Sequence, residues 1–444
     1  MGAYPPRKDQ RILAAALVGT VVEYYDFYLF GFAAALVFGP LFFPAQSPAA
    51  QTLASLLTFG LAYVARPAGA VAFGHVGDRI GRKSSLVMSM LIMGTCTVSI
   101  AFLPTYGMAE ASGVGWFAPA LLLLLRFGQG LGLGGEMAGA TLLAIEHASP
   151  GWKARYGAAP IMGATIGNIV AAGMFLLMGT MLTDVHFVTW GWRLPFLASA
   201  VLVATALWVR LRIAETPEFR AHLANNTPAQ APLTKLIKEH KVAMLAGIAG
   251  VIGPFGMIFM AGPFALAEAT GPLNYSRERF LAIQVIAMLV NLPAIMWAAR
   301  HAERHSPGKT IISGAGLMSA AGLFFGVALG SRSLPLAALS LCSLSIAMAA
   351  VFVPISAWLA GLFPVSVRYS GFAFSYSTGS MISGALFPTI AVMMSAAGWF
   401  NFVGLLLSGS AVLTIAAVCL GRHCNSYESI PTSQSILRCS RGLM

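Results

Sequence analysis

The stretch Gly74-His75-Val76-Gly77-Asp78-Arg79-Ile80-Gly81-Arg82-Lys83 (GHVGDRIGRK) follows one oily run, 52–74, and precedes another, 86–104. About 20 apolar residues cross a hydrocarbon core, so this charged turn reads as a loop joining two membrane spans. A second short basic turn, RHAERHSPGK, occupies 300–309 and follows the run 280–300. Asp78-Arg79 and Glu303-Arg304 lie 225 residues apart, close to half of the 444-residue chain. Two related halves around a central site are the layout of a secondary transporter.

Working outward, further runs lie at about 12–38, 116–142, 156–180, 191–213, 242–266, 310–330, 334–359, 368–397 and 399–421. The expectation is an all-α membrane protein of twelve transmembrane helices in two six-helix halves. Composition agrees: 57% of residues are hydrophobic and 9% are charged, against about 25% charged in soluble domains. Mean hydropathy is +0.77. A soluble enzyme, a disordered chain and a disulfide scaffold are excluded, the last because the five cysteines are scattered. Met1 to Arg11 is short and basic, and the apolar run after it lacks a small-residue cleavage site, so no cleaved signal is expected.

The net charge of +12 is explained by topology. With the N-terminus inside, 21 of the 27 Lys and Arg fall in cytoplasmic segments, and only Arg277, Arg279 and Arg332 fall outside. That bias follows the positive-inside rule and removes nucleic acid as a partner. The polar stretch 214–241 divides the chain into halves 1–213 and 242–421, and 422–444 forms a tail. Both termini are expected in the cytoplasm.

Ionisable residues at membrane depth are costly and each needs a reason. Glu23-Tyr24-Tyr25-Asp26 places Glu23 and Asp26 three apart on one helix face, able to share a proton or a partner. Arg66 lies twelve residues before Asp78, about 18 Å above the cytoplasmic end. Arg126, Gln129 and Glu136 fall within roughly an 80° sector of one helix, a polar face expected to line a cavity. Arg126 and Arg66 can hold a carboxylate through two parallel hydrogen bonds; the competing reading is that they neutralise Asp26, Glu23 or Glu136. Tyr24, Asn168 and Gln284 join the substrate-site candidates, although Asn168, Gln284 and Asn291 also suit helix-to-helix hydrogen bonding. Tyr369 and Tyr376 suit packing or gating.

None of the eight histidines clusters at depth, so no metal site is expected. No phosphate-binding loop is present, so the drive must come from a gradient, with no cofactor. No Ser-His pair, zinc motif or paired-Asp metal motif lies at depth, so an enzyme is not expected.

Residues 74–83 resemble the signature loop of the major facilitator superfamily, and Arg126-Phe127-Gly128-Gln129-Gly130 resembles its fourth-helix R-x-x-Q-G motif. VVEYYDFYLFG at 21–31, GGEMAGATLLAIEHASPGWKARYG at 134–157, WGWRLPFLASA at 190–200 with ETPEF at 215–219, and VRYSGFAFSY at 367–376 narrow the likeness. Together they resemble the metabolite:proton symporter family, whose members import shikimate, α-ketoglutarate, citrate, or proline and betaine. Over about 20–422 the resemblance implies alternating access and proton-coupled uptake across the bacterial inner membrane by a monomer. It puts Asp26, Arg126 and Glu136 on motif positions and Asp78, Arg79 and Arg82 on the loop that latches the two halves. Asp26, Glu23 and Glu136 are the proton-coupling candidates, and Gly74, Gly81, Lys83, Glu303, Arg304 and Arg368 join the candidates for the cytoplasmic latch. Two departures stand out. The second loop reads AERHSPGK, so its latch is expected to be weaker or differently built, and the tail after Cys419 lacks the usual charged ending.

The leading expectation is uptake of a small organic acid, with residues 19–44 somewhat closer to the shikimate-type branch. The alternatives are a proton-driven efflux antiporter, against which five charges at depth argue, and a proline- or betaine-type zwitterion symporter. Small carboxylates or zwitterions, protons and lipid are the expected partners.

Overall fold

The computed structural model describes residues 7–44, 48–148, 152–211, 232–270 and 272–422. Most of the proposed linker, 212–231, and the tail from 423 onward lie outside the described residues. Twelve long helices account for nearly everything else: α1 (Arg7–Ala33), α2 (Pro48–Arg79), α3 (Arg82–Ile100), α4 (Phe117–Glu146), α5 (Lys153–Met181), α6 (Arg193–Leu211), α7 (Lys241–Phe259), α8 (Arg277–His305), α9 (Pro307–Gly330), α10 (Leu334–Gly361), α11 (Arg368–Ala396) and α12 (Gly404–Arg422). Where lipid supplies no hydrogen bonds, helices satisfy every backbone group internally.

Ten of the described helices are long and apolar enough to span, and α1, bent by 41° near its outer end, makes eleven. The twelfth, α2, has 32 residues, about 48 Å of helix, but carries Arg66 inside its apolar run. Leu91, Val201, Leu245, Leu339 and Val412 stand exposed on the outside, as lipid-facing residues do.

Helices α1 to α6 pack among themselves and α7 to α12 among themselves, and the halves meet chiefly through α2 against α11 and α5 against α8. These two contacts are each other's counterparts under the repeat. Small residues let the backbones approach. A methyl group on Gly69 of α2 would strike the Leu131 carbonyl of α4, and one on Gly134 of α4 would strike the Arg66 carbonyl. This crossing sets the depth of Arg66.

The repeat recurs in details the sequence did not announce. After α1 comes a π-turn at Ala34–Phe38, and after α7 another at Met260–Phe264, starting 226 residues apart. Each turn leaves carbonyls outside the regular ladder, and a neighbouring helix takes them up. Ser55 donates to Ala34 O at 2.6 Å, and Gln284 donates to Ala261 O and Gly262 O, both at 3.0 Å.

The break between α2 and α3 falls at Gly81, φ 136°, and the matching break between α8 and α9 falls at Ser306, φ 80° and ψ 147°. Only glycine occupies such angles freely, so the second half carries strain that the first avoids. Ser306→Gly is expected to stabilise the folded protein by roughly 1–3 kcal/mol, read as a higher unfolding temperature in detergent. Gly81→Ala should act in the opposite direction, and equal stability of all three proteins would show that the two turns are unstrained.

Candidate functional site

At the end of the bundle where α2 turns into α3, the halves are tied by charge. Asp78, buried at the end of α2, accepts hydrogen bonds from the backbone N–H groups of Tyr369 (3.1 Å) and Ser370 (2.9 Å). These open α11, where N–H groups lack helical partners and the helix dipole favours an anion. Arg82 donates to the same carboxylate at 2.7 Å and to Val365 O at 3.3 Å. Glu146, at the end of α4, lies 3.2 Å from Arg368 and 3.7 Å from Arg82. Tyr369 seals the joint, its hydroxyl donating to Gly135 O at 2.7 Å and accepting from Ser85 at 2.8 Å. On the other side, Glu303 pairs with Arg155 at 2.7 Å and accepts its backbone N–H. The differently built second latch is therefore a Glu303–Arg155 pair between α8 and α5.

Not every expected latch residue takes part. Gly74 lies against Ser370, and a β-carbon there would meet its backbone. Arg79 is exposed and meets His75 within its own turn, Arg304 is exposed, and Lys83 donates to Leu211 O on α6. Arg79 and Arg304 point into solvent because the helical register that buries Asp78 and Glu303 turns the next residue by 100°.

Above the closed latch lies a cavity of about 190 Å³ between the halves. That is below the ~300–1,000 Å³ typical of drug-sized ligands and suits a small metabolite. Of the substrate-site candidates, Arg66, Tyr24, Asn168 and Gln284 line it, with Tyr28, Tyr63, Asn291 and Tyr376. Among the described lining residues Arg66 is the only charged one. It lies over the Tyr63 ring at 4.6 Å and the Phe27 ring at 5.1 Å and makes no ion pair among the described residues.

The expected placement of Arg126, Gln129 and Glu136 on the cavity wall does not hold. The polar face of α4 turns into the first half's own interior. Arg126 is enclosed by the rings of Phe30 (4.1 Å), Phe27 (4.7 Å) and Phe59 (4.8 Å). It donates to Gln129 at 2.9 Å, Gln129 donates to Thr97 at 2.8 Å, and Thr97 lies beside Asp26. Asp26 accepts from Ser199 at 2.6 Å. Glu136 accepts from Ser89 at 2.8 Å and pairs with Arg210. Glu23 faces Glu136, and among the described residues no donor reaches either of its carboxylate oxygens. Glu23, Asp26 and Glu136 line one cleft of about 10 Å³, the lower limit for a single water. Tyr24 and Tyr28 face the cavity because each stands 200° around α1 from Asp26.

Residues 12–250 match the model of the sugar (and other) transporter family. The inner membrane metabolite transport protein YhjE of Escherichia coli (strain K12) is 40% identical over 432 residues, 96% of this chain and 97% of its own. The chain belongs to the sugar (and other) transporters of the major facilitator superfamily. The shikimate transporter of the same organism is 34% identical across 93% of this chain and 94% of its own. In fold, the chain matches the proton:xylose symporter XylE bound to 6-bromo-6-deoxy-D-glucose with a TM-score of 0.76, at 15% identity over 95% of this chain and 96% of that one. It is a multi-pass metabolite transporter of the bacterial inner membrane, not an enzyme.

Three parts of the transporter's polar network escaped sequence reading. Arg210, counted among the cytoplasmic topology charges, is buried on α6 as the partner of Glu136. The signal was available, since position 210 falls within the span 191–213. Glu146 sits in a quoted motif but carried no role. Ser89, Thr97 and Ser199 left no signal, because a lone hydroxyl in an oily helix can always bond its own backbone.

Two outcomes follow. Arg210→Met, which strands Glu136 in the interior, should cost about 3–5 kcal/mol, and adding Glu136→Gln should recover most of it. Detergent unfolding of the two variants measures this, and an unaffected single variant would remove the pair from the fold's support. Asp78→Asn should loosen the cytoplasmic latch. In a cysteine-free background, alkylation of Ser377→Cys from the cytoplasmic side should then rise several-fold, and an unchanged rate would show that Asp78 does not hold the gate.

Proposed function

We propose that this transporter takes up a small organic acid together with protons by alternating access, and that no cofactor is involved. One observation carries the reading: Arg66 is the only charged residue on the described lining of the central cavity and forms no ion pair among the described residues, Glu23 acting on it only at longer range. A buried cation without a partner is costly, and a substrate carboxylate is the group that removes that cost. The guanidinium fork gives the bond its direction, and the tyrosines supply a wall for the substrate's apolar body.

The carboxylate cleft behind α1 is the proton site in this reading. It holds three carboxylates and one paired cation, Arg210, and Glu23 lies within electrostatic reach of both Arg210 and Arg66. An ionised Glu23 competes with substrate for Arg66. A proton on the cluster ends that competition, so substrate and proton enter together. Arg126 belongs to this network through Gln129 and Thr97, as a positioning residue for Asp26. Reading the latch as cytoplasmic places both termini inside, and the functional unit is a monomer surrounded by lipid.

Relatives named proline/betaine transporters keep a zwitterion symporter in view, and the aromatic wall could face a quaternary ammonium. Arg66 argues against it, because a zwitterion leaves the cavity's positive charge uncompensated.

The test is uptake by proteoliposomes under an inward proton gradient, with labelled shikimate, α-ketoglutarate, citrate, benzoate, proline and betaine. One acid should accumulate, and a protonophore should collapse the gradient it forms. Asp26→Asn should abolish accumulation while leaving exchange across equal pH. Full accumulation by Asp26→Asn would take that residue out of coupling, and faster exit of preloaded compounds would establish efflux instead.

A further inference from the structure

The two amide side chains of α8 on the cavity wall have their orientations set by their neighbours. Gln284 meets two backbone carbonyls of the α7 π-turn, Ala261 O and Gly262 O, each at 3.0 Å. Carbonyls only accept, so the NH₂ group must face them and Oε1 is left over. Asn291 stands 3.3 Å from Thr165 Oγ1. Thr165 donates its only hydroxyl hydrogen to Ile161 O at 3.2 Å, so it accepts one of the two N–H groups of Asn291, and again the NH₂ end is the one turned to the protein. The remaining oxygen, Asn291 Oδ1, is buried without a partner among the described residues, on a residue 2% exposed. Gln284 and Asn291 are seven residues apart, hence on one face of α8, and both border the cavity.

The cavity is therefore polarised. The α2 wall presents a cation, and the α8 wall presents two amide oxygens that accept no hydrogen bond among the described residues. We infer that Gln284 and Asn291 select hydroxylated carboxylates: the carboxylate binds Arg66, and substrate hydroxyl groups donate to the leftover oxygens on α8. This rests on the anion reading of Arg66 given above and adds the substrate class. A hydroxyl fits better than an ammonium group, because no carboxylate stands on the described lining to balance a second positive charge. A site built to hydrogen-bond a substrate hydroxyl rejects the analogue lacking it, since its own polar groups are then left unpaired.

The experiment is equilibrium binding to the purified full-length transporter, using matched pairs. Shikimate is set against cyclohex-1-ene-1-carboxylate, which keeps ring and carboxylate without hydroxyls, and D-gluconate against hexanoate. Methyl shikimate keeps the hydroxyls without the charge, and L-proline carries the ammonium arm. At least one hydroxylated acid should bind ten-fold or more tighter than its deoxy partner. In Asn291→Leu, and separately in Gln284→Met, that ratio should shrink to two- or three-fold while the deoxy acid's affinity stays within two-fold of wild type. Equal wild-type binding of both members of each pair, with the ester inert, would overturn the acceptor wall and leave the Arg66 reading standing. An ester that binds as well as the acid, or no binding of any acid, would overturn the Arg66 reading and this inference with it. L-proline binding tighter than every hydroxy acid would replace hydroxyl with ammonium as the donor and overturn the class named here. Because wild-type protein alone decides the first comparison, a variant that fails to fold does not protect the inference.

Discussion

A single carboxylate at the end of α2 ties the two halves of this molecule together. Asp78 receives two N–H groups from the start of α11 and a guanidinium from Arg82. It is a second-half helix terminus held by a first-half side chain. Around it Glu146 takes Arg368, and Tyr369 reaches Gly135. Charge-assisted bonds in a buried setting are strong when satisfied and costly when broken singly. A network of this kind has two sensible conditions, assembled or wholly separated. That is what a gate between two access states requires.

Helix rotation then separates two jobs within one helix. On α1, Tyr24 and Tyr28 look into the cavity while Glu23 and Asp26 look away from it, toward α3, α4 and α6. Substrate chemistry and carboxylate chemistry are thus back to back, with Arg66 and the aromatic rings between them. Keeping the carboxylates out of the cavity leaves Arg66 as the only charged group on its described lining. The same economy appears on α8, where the amide groups of Gln284 and Asn291 serve the protein with their NH₂ ends and leave their oxygens over.

Much of this was legible in the chain. Twelve apolar runs, the bias of basic residues toward one set of loops, and the 225-residue spacing of two charged turns determined a two-half helical membrane protein, since water, lipid and the positive-inside rule act on composition and order alone. The scarcity of charge at depth singles out Glu23, Asp26, Arg66, Arg126 and Glu136 in the sequence itself. The tertiary structure decided how they are divided. An angular sector on one helix says which residues share a face, but only the packing of neighbours says whether that face meets a cavity or another helix, and α4 turned its polar face to α3 and α6. Partners from distant segments, such as Arg210 for Glu136 and Ser199 for Asp26, have no spacing by which to be found. Hydrogen-bond direction, which leaves amide oxygens over on α8, depends on which groups touch, and that exists only in the folded chain.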